Sequence, residues 1–203
     1  MKPGIIDNWK NNTHITEIII IITRMSYVST KGELGIILAE EVLKYSIFEL
    51  QVIGGVMNIE VSKLPSSYKR RVKPYFEEQL FGSYHELLSK YRKGKFLHMK
   101  QSLKDPETFL SFCRMVPEGC TQWDETAWKN PEIWNPKNRL FYYLISAYSM
   151  FIMDKPGHPV GMPFPGGHVV EKRGEKYYCP IRDKEKDVFF SICNFCPAIQ
   201  SES

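Results

Sequence analysis

A mainly helical domain, closed at its C-terminus by a small cysteine-rich loop and hairpin, is the architecture that these 203 residues predict. Three observations point to it. Apolar residues between Glu33 and Asp154 recur at the three-and-four spacing that lines side chains along one helix face. Composition changes abruptly after Lys155, where Pro156, Gly157, Pro159, Gly161, Pro163, Pro165, Gly166 and Gly167 exclude a helix. Beyond that loop, three of the five cysteines gather in the last stretch of the chain.

The bulk composition sets the frame. With 43% hydrophobic and 25% charged residues, the chain has the make-up of a globular protein able to bury a core. Its net charge of +4 permits contact with nucleic acid or an acidic partner without requiring it. An odd number of cysteines and no secretory signal argue against a disulfide framework and for a reducing cytoplasm. The run Ile18-Ile19-Ile20-Ile21-Ile22 is far below the ~20 apolar residues that span a bilayer, so no membrane association is expected.

Residues 1–32 form an N-terminal arm in this reading. Asn, Lys and Ile dominate the first 24 residues with no helical period, which fits a short strand, a mobile arm, or a gene-model extension ahead of a true start at Met25. The helical domain runs from 33 to 154 and holds five or six helices. Leu34, Ile37, Leu38, Val42 and Tyr45 share the face of the first. Ser46-Ile47-Phe48-Glu49 is a capping box that starts the second, expected to reach about Val61, with Gly54-Gly55 marking close helix contact. A third runs from Tyr68 to Tyr91, with a kink or split near Lys73 ahead of Pro74. Asp105-Pro106-Glu107 opens a helix that should stop near Val116-Pro117. Trp123, Trp128 and Trp134 lie in a loop, and Asn135-Pro136 starts a central helix over Lys137 to Asp154. In the C-terminal module, 155–203, packed on the helical domain, Val169–Lys172 and Lys176–Ile181 read as a hairpin around Arg173-Gly174-Glu175. Val188 to Ile192 reads as a third strand.

The chemistry is concentrated in that module. Cys179, followed by the pair Cys193 and Cys196, is a metal-ligand pattern, because thiolates two residues apart converge on one ion. A tetrahedral site needs a fourth ligand, and His158, in the proline-stiffened loop, is preferred over His168 and over Cys120, which follows a helix end. Zinc is favoured for such a site. Cys179-Pro180 and Cys196-Pro197 also suit an iron–sulfur cluster, but compact cluster motifs bring their cysteines closer in sequence. The competing readings of the trio are thiol redox chemistry and inert burial. Cys113 shares a helical face with Phe109 and Val116 and reads as core.

Elsewhere the signals are weaker. Lys69, Arg70, Arg71 and Lys73, then Lys90, Arg92, Lys93 and Lys95, make both ends of the long helix basic, as a solvated face does more often than a phosphate site. His14, His85 and His98 are scattered. There is no phosphate-cradling glycine loop and no serine nucleophile elbow.

The stretch His158-Pro159-Val160-Gly161-Met162-Pro163-Phe164-Pro165-Gly166-Gly167, with Tyr178-Cys179-Pro180-Ile181 and Cys193-Asn194-Phe195-Cys196-Pro197-Ala198-Ile199-Gln200, resembles the C-terminal signature of an archaeal family. That family is uncharacterised protein family 0305, or domain of unknown function 2115, found largely in methanogens. The resemblance covers about residues 156–200 and implies a cytosolic archaeal setting and a signature built on His158 and the three cysteines. It implies no reaction.

The residues and the resemblance together favour a zinc-binding protein whose Cys/His site braces a surface for a macromolecular partner, a protein above all. Two enzymatic alternatives remain. One is an open zinc site with Glu171 or Asp183 as acid or base, and the other is a Cys193/Cys196 dithiol pair. A third class, single-strand nucleic-acid binding, would use the basic helix ends and the tryptophan loop.

Overall fold

The structure is a computed structural model that describes residues 13–122 and 135–201. Its first helix, α1 (Thr13–Ser26), lies where the sequence shows no helical period. The isoleucine run hides the period because it is apolar on every face. Packing then selects one face: Ile18, Ile22 and Met25 are buried, whereas Ile19 and Ile20 remain exposed. α1 is therefore neither a strand nor a free arm, and its buried face packs on the two core helices that close the domain.

Helix α2 (Lys31–Val42) starts at a capping box. Thr30 accepts the Glu33 N–H, and the Glu33 carboxylate returns to the Thr30 N–H. Its remaining free donors are met from outside, Lys31 N–H by the Gln101 carbonyl and Gly32 N–H by that of Met99. Helix α3 (Ile47–Ser62) starts at the expected Ser46/Glu49 box. Of its two glycines, Gly54 lies against the Phe81 ring while Gly55 faces open space, so the close contact foreseen at the pair exists at Gly54 alone.

The long basic helix divides differently from the expectation. α4 (Ser66–Glu77) runs through Pro74, and the irregularity comes one turn later, as a π turn over Glu78–Gly82 that leads into α5 (Ser83–Arg92). Proline removes its own N–H and crowds the carbonyl four residues back, and α4 accommodates both without ending. Helix α6 (Pro106–Gly119) likewise runs past Pro117, to Gly119; Asp105 caps it by accepting the Thr108 N–H. Helix α7 (Pro136–Ala147), capped by Asn135, continues as a π turn over Tyr148–Ile152. Phe141, Leu144 and Tyr148 in this rod are fully buried, which makes it the centre of the domain.

The C-terminal residues form a three-stranded sheet in the order β1-β2-β3. β1 (Glu171–Arg173) and β2 (Lys176–Cys179) make the expected hairpin, with Gly174 at φ 60 in its turn. β3 (Ile199–Gln200) runs parallel to β2, pairing Tyr178 with Ile199 and Cys179 with Gln200. The third strand foreseen at Val188–Ile192 is absent. The Val188 carbonyl is taken by the Ser191 N–H and the Asn194 amide, which fold that segment into a turn. Tyr143 donates to the Phe190 carbonyl at 2.9 Å, Tyr68 to that of Pro163 at 2.8 Å, and the Phe195 ring meets Phe112 edge-on. These contacts dock the sheet region on the helices.

Candidate metal centre

Each cysteine of the trio stands at an element boundary. Cys179 ends β2, and its carbonyl accepts the Ser201 N–H at 3.1 Å. Cys193 sits in a single 3-10 turn, Ile192–Phe195, opened by Ser191, whose hydroxyl accepts the Cys193 N–H. Cys196 closes the turn by donating its N–H to the Cys193 carbonyl at 3.2 Å. All three are buried free thiols.

The backbone turns donors toward two of these sulfurs. Gly157 N–H lies 3.5 Å from Cys196 Sγ. The Ala198 N–H also favours the Cys196 thiolate, and those of Ile181 and Arg182 do the same at Cys179. The turn after Cys179 is held by the Gln200 side chain, which accepts the Asp183 N–H and donates to the Pro180 carbonyl. Burial is nonetheless the largest influence and raises all three thiols, Cys193 to about 11, with the neighbouring Cys196 and Cys179 contributing to that rise. The three sulfurs are thus within electrostatic reach of one another.

Reach is not convergence. Among the described residues, no three His, Cys, Asp or Glu side chains form a group that could hold a metal ion. The preformed metal module expected from the sequence is therefore not seen, and the thiols pack as small apolar groups instead.

The other sequence candidates are placed as follows. His158 follows Gly157, its ring edge-on to Phe164 at 5.6 Å; burial lowers its pKa to about 4, leaving the neutral imidazole that metals bind. His168 is exposed at the loop that precedes β1. Cys120 is fully buried beside Tyr45, Tyr143 and Arg139, and no described interaction joins it to the trio. Cys113 is core, raised by burial to about 12. Glu171 is engaged by Arg173, and Asp183 by Arg182 and Lys186. Lys73 and Lys90 of the basic helix face pair with Glu77 and Glu86. The three tryptophans of the loop lie outside the described residues. Sequence reasoning missed the sulfur donors Gly157, Ile181, Arg182 and Ala198, because a backbone N–H leaves no mark in residue type.

No described helix is long and apolar enough to cross a membrane. Comparison with known proteins agrees with the sequence signature. A UPF0305 protein of Methanopyrus kandleri is 30% identical over 129 residues, covering 63% of this chain and 85% of that protein. One from Methanocaldococcus jannaschii is 24% identical over 162 residues, 78% of this chain and 89% of the relative. A third, from Methanothermobacter thermautotrophicus, is 40% identical over 57 residues, and the chain spans only 35% of its length. No solved structure matches. The family described as an uncharacterized protein conserved in archaea (DUF2115) matches residues 30–201, nearly the whole described body and every cysteine, and the chain belongs to it.

Proposed function

We propose that Cys179, Cys193 and Cys196 bind a transition metal, zinc foremost, with His158 as the fourth ligand. The site would brace the C-terminal module as a docking surface for a macromolecular partner, a protein above all, in the cytoplasm. The observation that carries this reading is the backbone donor at sulfur, the Gly157 N–H 3.5 Å from Cys196 Sγ, with the backbone of Ala198 favouring the thiolate at Cys196 and that of Ile181 and Arg182 at Cys179. Buried thiols that remain neutral gain little from such donors. Thiolates on a metal gain a great deal, because the N–H groups disperse their charge and fix their direction.

The dithiol alternative is less well supported. A reactive Cys-x-x-Cys pair needs one thiol with a depressed pKa, and here burial raises them all. The open hydrolytic site also loses support, since Glu171 and Asp183 are held in ion pairs with their neighbours.

Elemental analysis and a visible spectrum of anaerobically purified protein test the reading directly. One zinc per chain and a colourless sample are expected. Iron with sulfide would move the protein to cluster chemistry, and a metal-free sample would return the dithiol reading. Cys193→Ser is expected to lower both metal content and melting temperature, because structural zinc contributes folding free energy. Full metal content and an unchanged melting temperature in that variant would overturn the proposal.

A further inference from the structure

A cleft of about 460 Å³ opens between α3, the π turn at Glu78–Gly82 and the first turns of α7, well apart in sequence from the cysteines. Its walls are apolar: Ile53, Met57, Leu64, Phe76 and Leu80. Glu60, Asn135, Asn138 and Tyr142 also line it, and two further polar groups, Gln79 and Arg139, bring buried donors to it. Gln79, in the π turn, is only 7% exposed, and its Nε2 has no hydrogen-bond partner. Arg139, on α7, lies beside the Tyr143 and Phe190 rings, at 6.0 and 5.8 Å from their centroids, and its Nε is buried without an acceptor. Among the described residues no carboxylate pairs with it; Glu60, at the cleft, is engaged by Lys63 at 2.8 Å.

A buried donor without an acceptor is costly, and natural folds rarely tolerate one unless something supplies the missing partner. Here a neutral donor and a cationic donor lie in the same apolar cleft, one of them on a π turn, a local distortion often found at functional sites. The volume is within the range of small-molecule sites. We propose that this cleft binds a small amphiphile, an apolar chain or ring system ending in a carboxylate whose oxygens accept from Gln79 Nε2 and the Arg139 guanidinium. The apolar body fills the space between α3 and the π turn. The two donors set the polarity of the head group, so an amine of the same chain length is rejected.

Calorimetric titration of the full-length protein with decanoate and with decylamine, both below their micellar concentrations, tests this. Decanoate is expected to bind saturably at one per chain and at least about tenfold more tightly than decylamine. Gln79→Leu and Arg139→Gln should each weaken decanoate by about tenfold. Met57→Trp should abolish binding by filling the cleft while leaving both donors in place. Gln79→Leu should also keep or raise the melting temperature, since it removes an unpaired donor from an apolar site. Equal affinity for the amine, no binding of decanoate, or undiminished binding in Gln79→Leu and Met57→Trp would each overturn the proposal. So would a marked loss of stability in Gln79→Leu, which would show that the amide serves the fold.

Discussion

Gly32 shows how one residue joins distant parts of the chain. Its N–H donates to the Met99 carbonyl, and a Cβ at this position would run into the carbonyl oxygens of Phe96 and Met99. Backbone cannot swing aside as a side chain can, so alanine here forces the 95–99 turn away from α2. Gly32→Ala is expected to cost about 2 kcal/mol despite alanine's better helix propensity. Thermal melting should record a fall of roughly 5 °C, and an unchanged midpoint would show that the turn yields freely. The neighbouring Lys31 is buried, and its ammonium is met by Asp154 at 2.6 Å and the Ile152 carbonyl at 3.1 Å. Asp154 holds a left-handed φ of 52, the one non-glycine residue described with that geometry. Neither pairing can be read from composition, because partners more than a hundred positions apart leave no local pattern. The thiols were legible by spacing; their N–H donors were not.

Capping residues connect elements as well as start them. Glu49 closes the box of α3 and also accepts from Lys137, at the start of α7, at 2.6 Å. Burial opposes its ionisation, but Lys137 and the Ser46 donors outweigh that and hold the carboxyl at about 2. A carboxylate with a lowered folded pKa adds stability above its unfolded value of 4.5 and loses it as pH falls toward 2. The partly exposed pair is screened by solvent, so its share is on the order of 1 kcal/mol. Glu49→Gln should lower the melting temperature at pH 7 and have little effect near pH 2. A difference that persists through that window would locate the effect in packing. The Ser46/Glu49 capping box and both Pro-containing helix starts were legible, since they depend on residues three apart, whereas the Thr30/Glu33 box emerged only in the structure. The π turns were not. Pro74 shows that the residue expected to break a helix need not mark where it deforms.

For the whole molecule, α1 is the decisive case. Ile18 and Ile22 are nearly inaccessible in the face that α1 buries on α6 and α7, and Arg24 pairs with the buried Glu41 at 2.7 Å. Removing those two isoleucines from the core would forfeit on the order of 5 kcal/mol, a large share of a domain's usual ~5–15 kcal/mol. A chain begun at Met25 is therefore expected to melt more than about 10 °C lower or to aggregate, as circular dichroism would show. A midpoint equal to that of the full chain would restore the view of this segment as a dispensable arm.

From the sequence alone came the helical class, the positions of most helix starts, the composition break at Lys155 and the cysteine trio. Each depends on residues close together in the chain, where periodicity, caps and spacing act directly. Only the tertiary structure decided that the isoleucine run is a core helix and that β3 pairs parallel with β2. It alone buried Cys120 completely and placed Gln79 and Arg139 in one cleft. Those outcomes depend on which distant surfaces exclude water from one another, and a pattern of neighbours does not encode that.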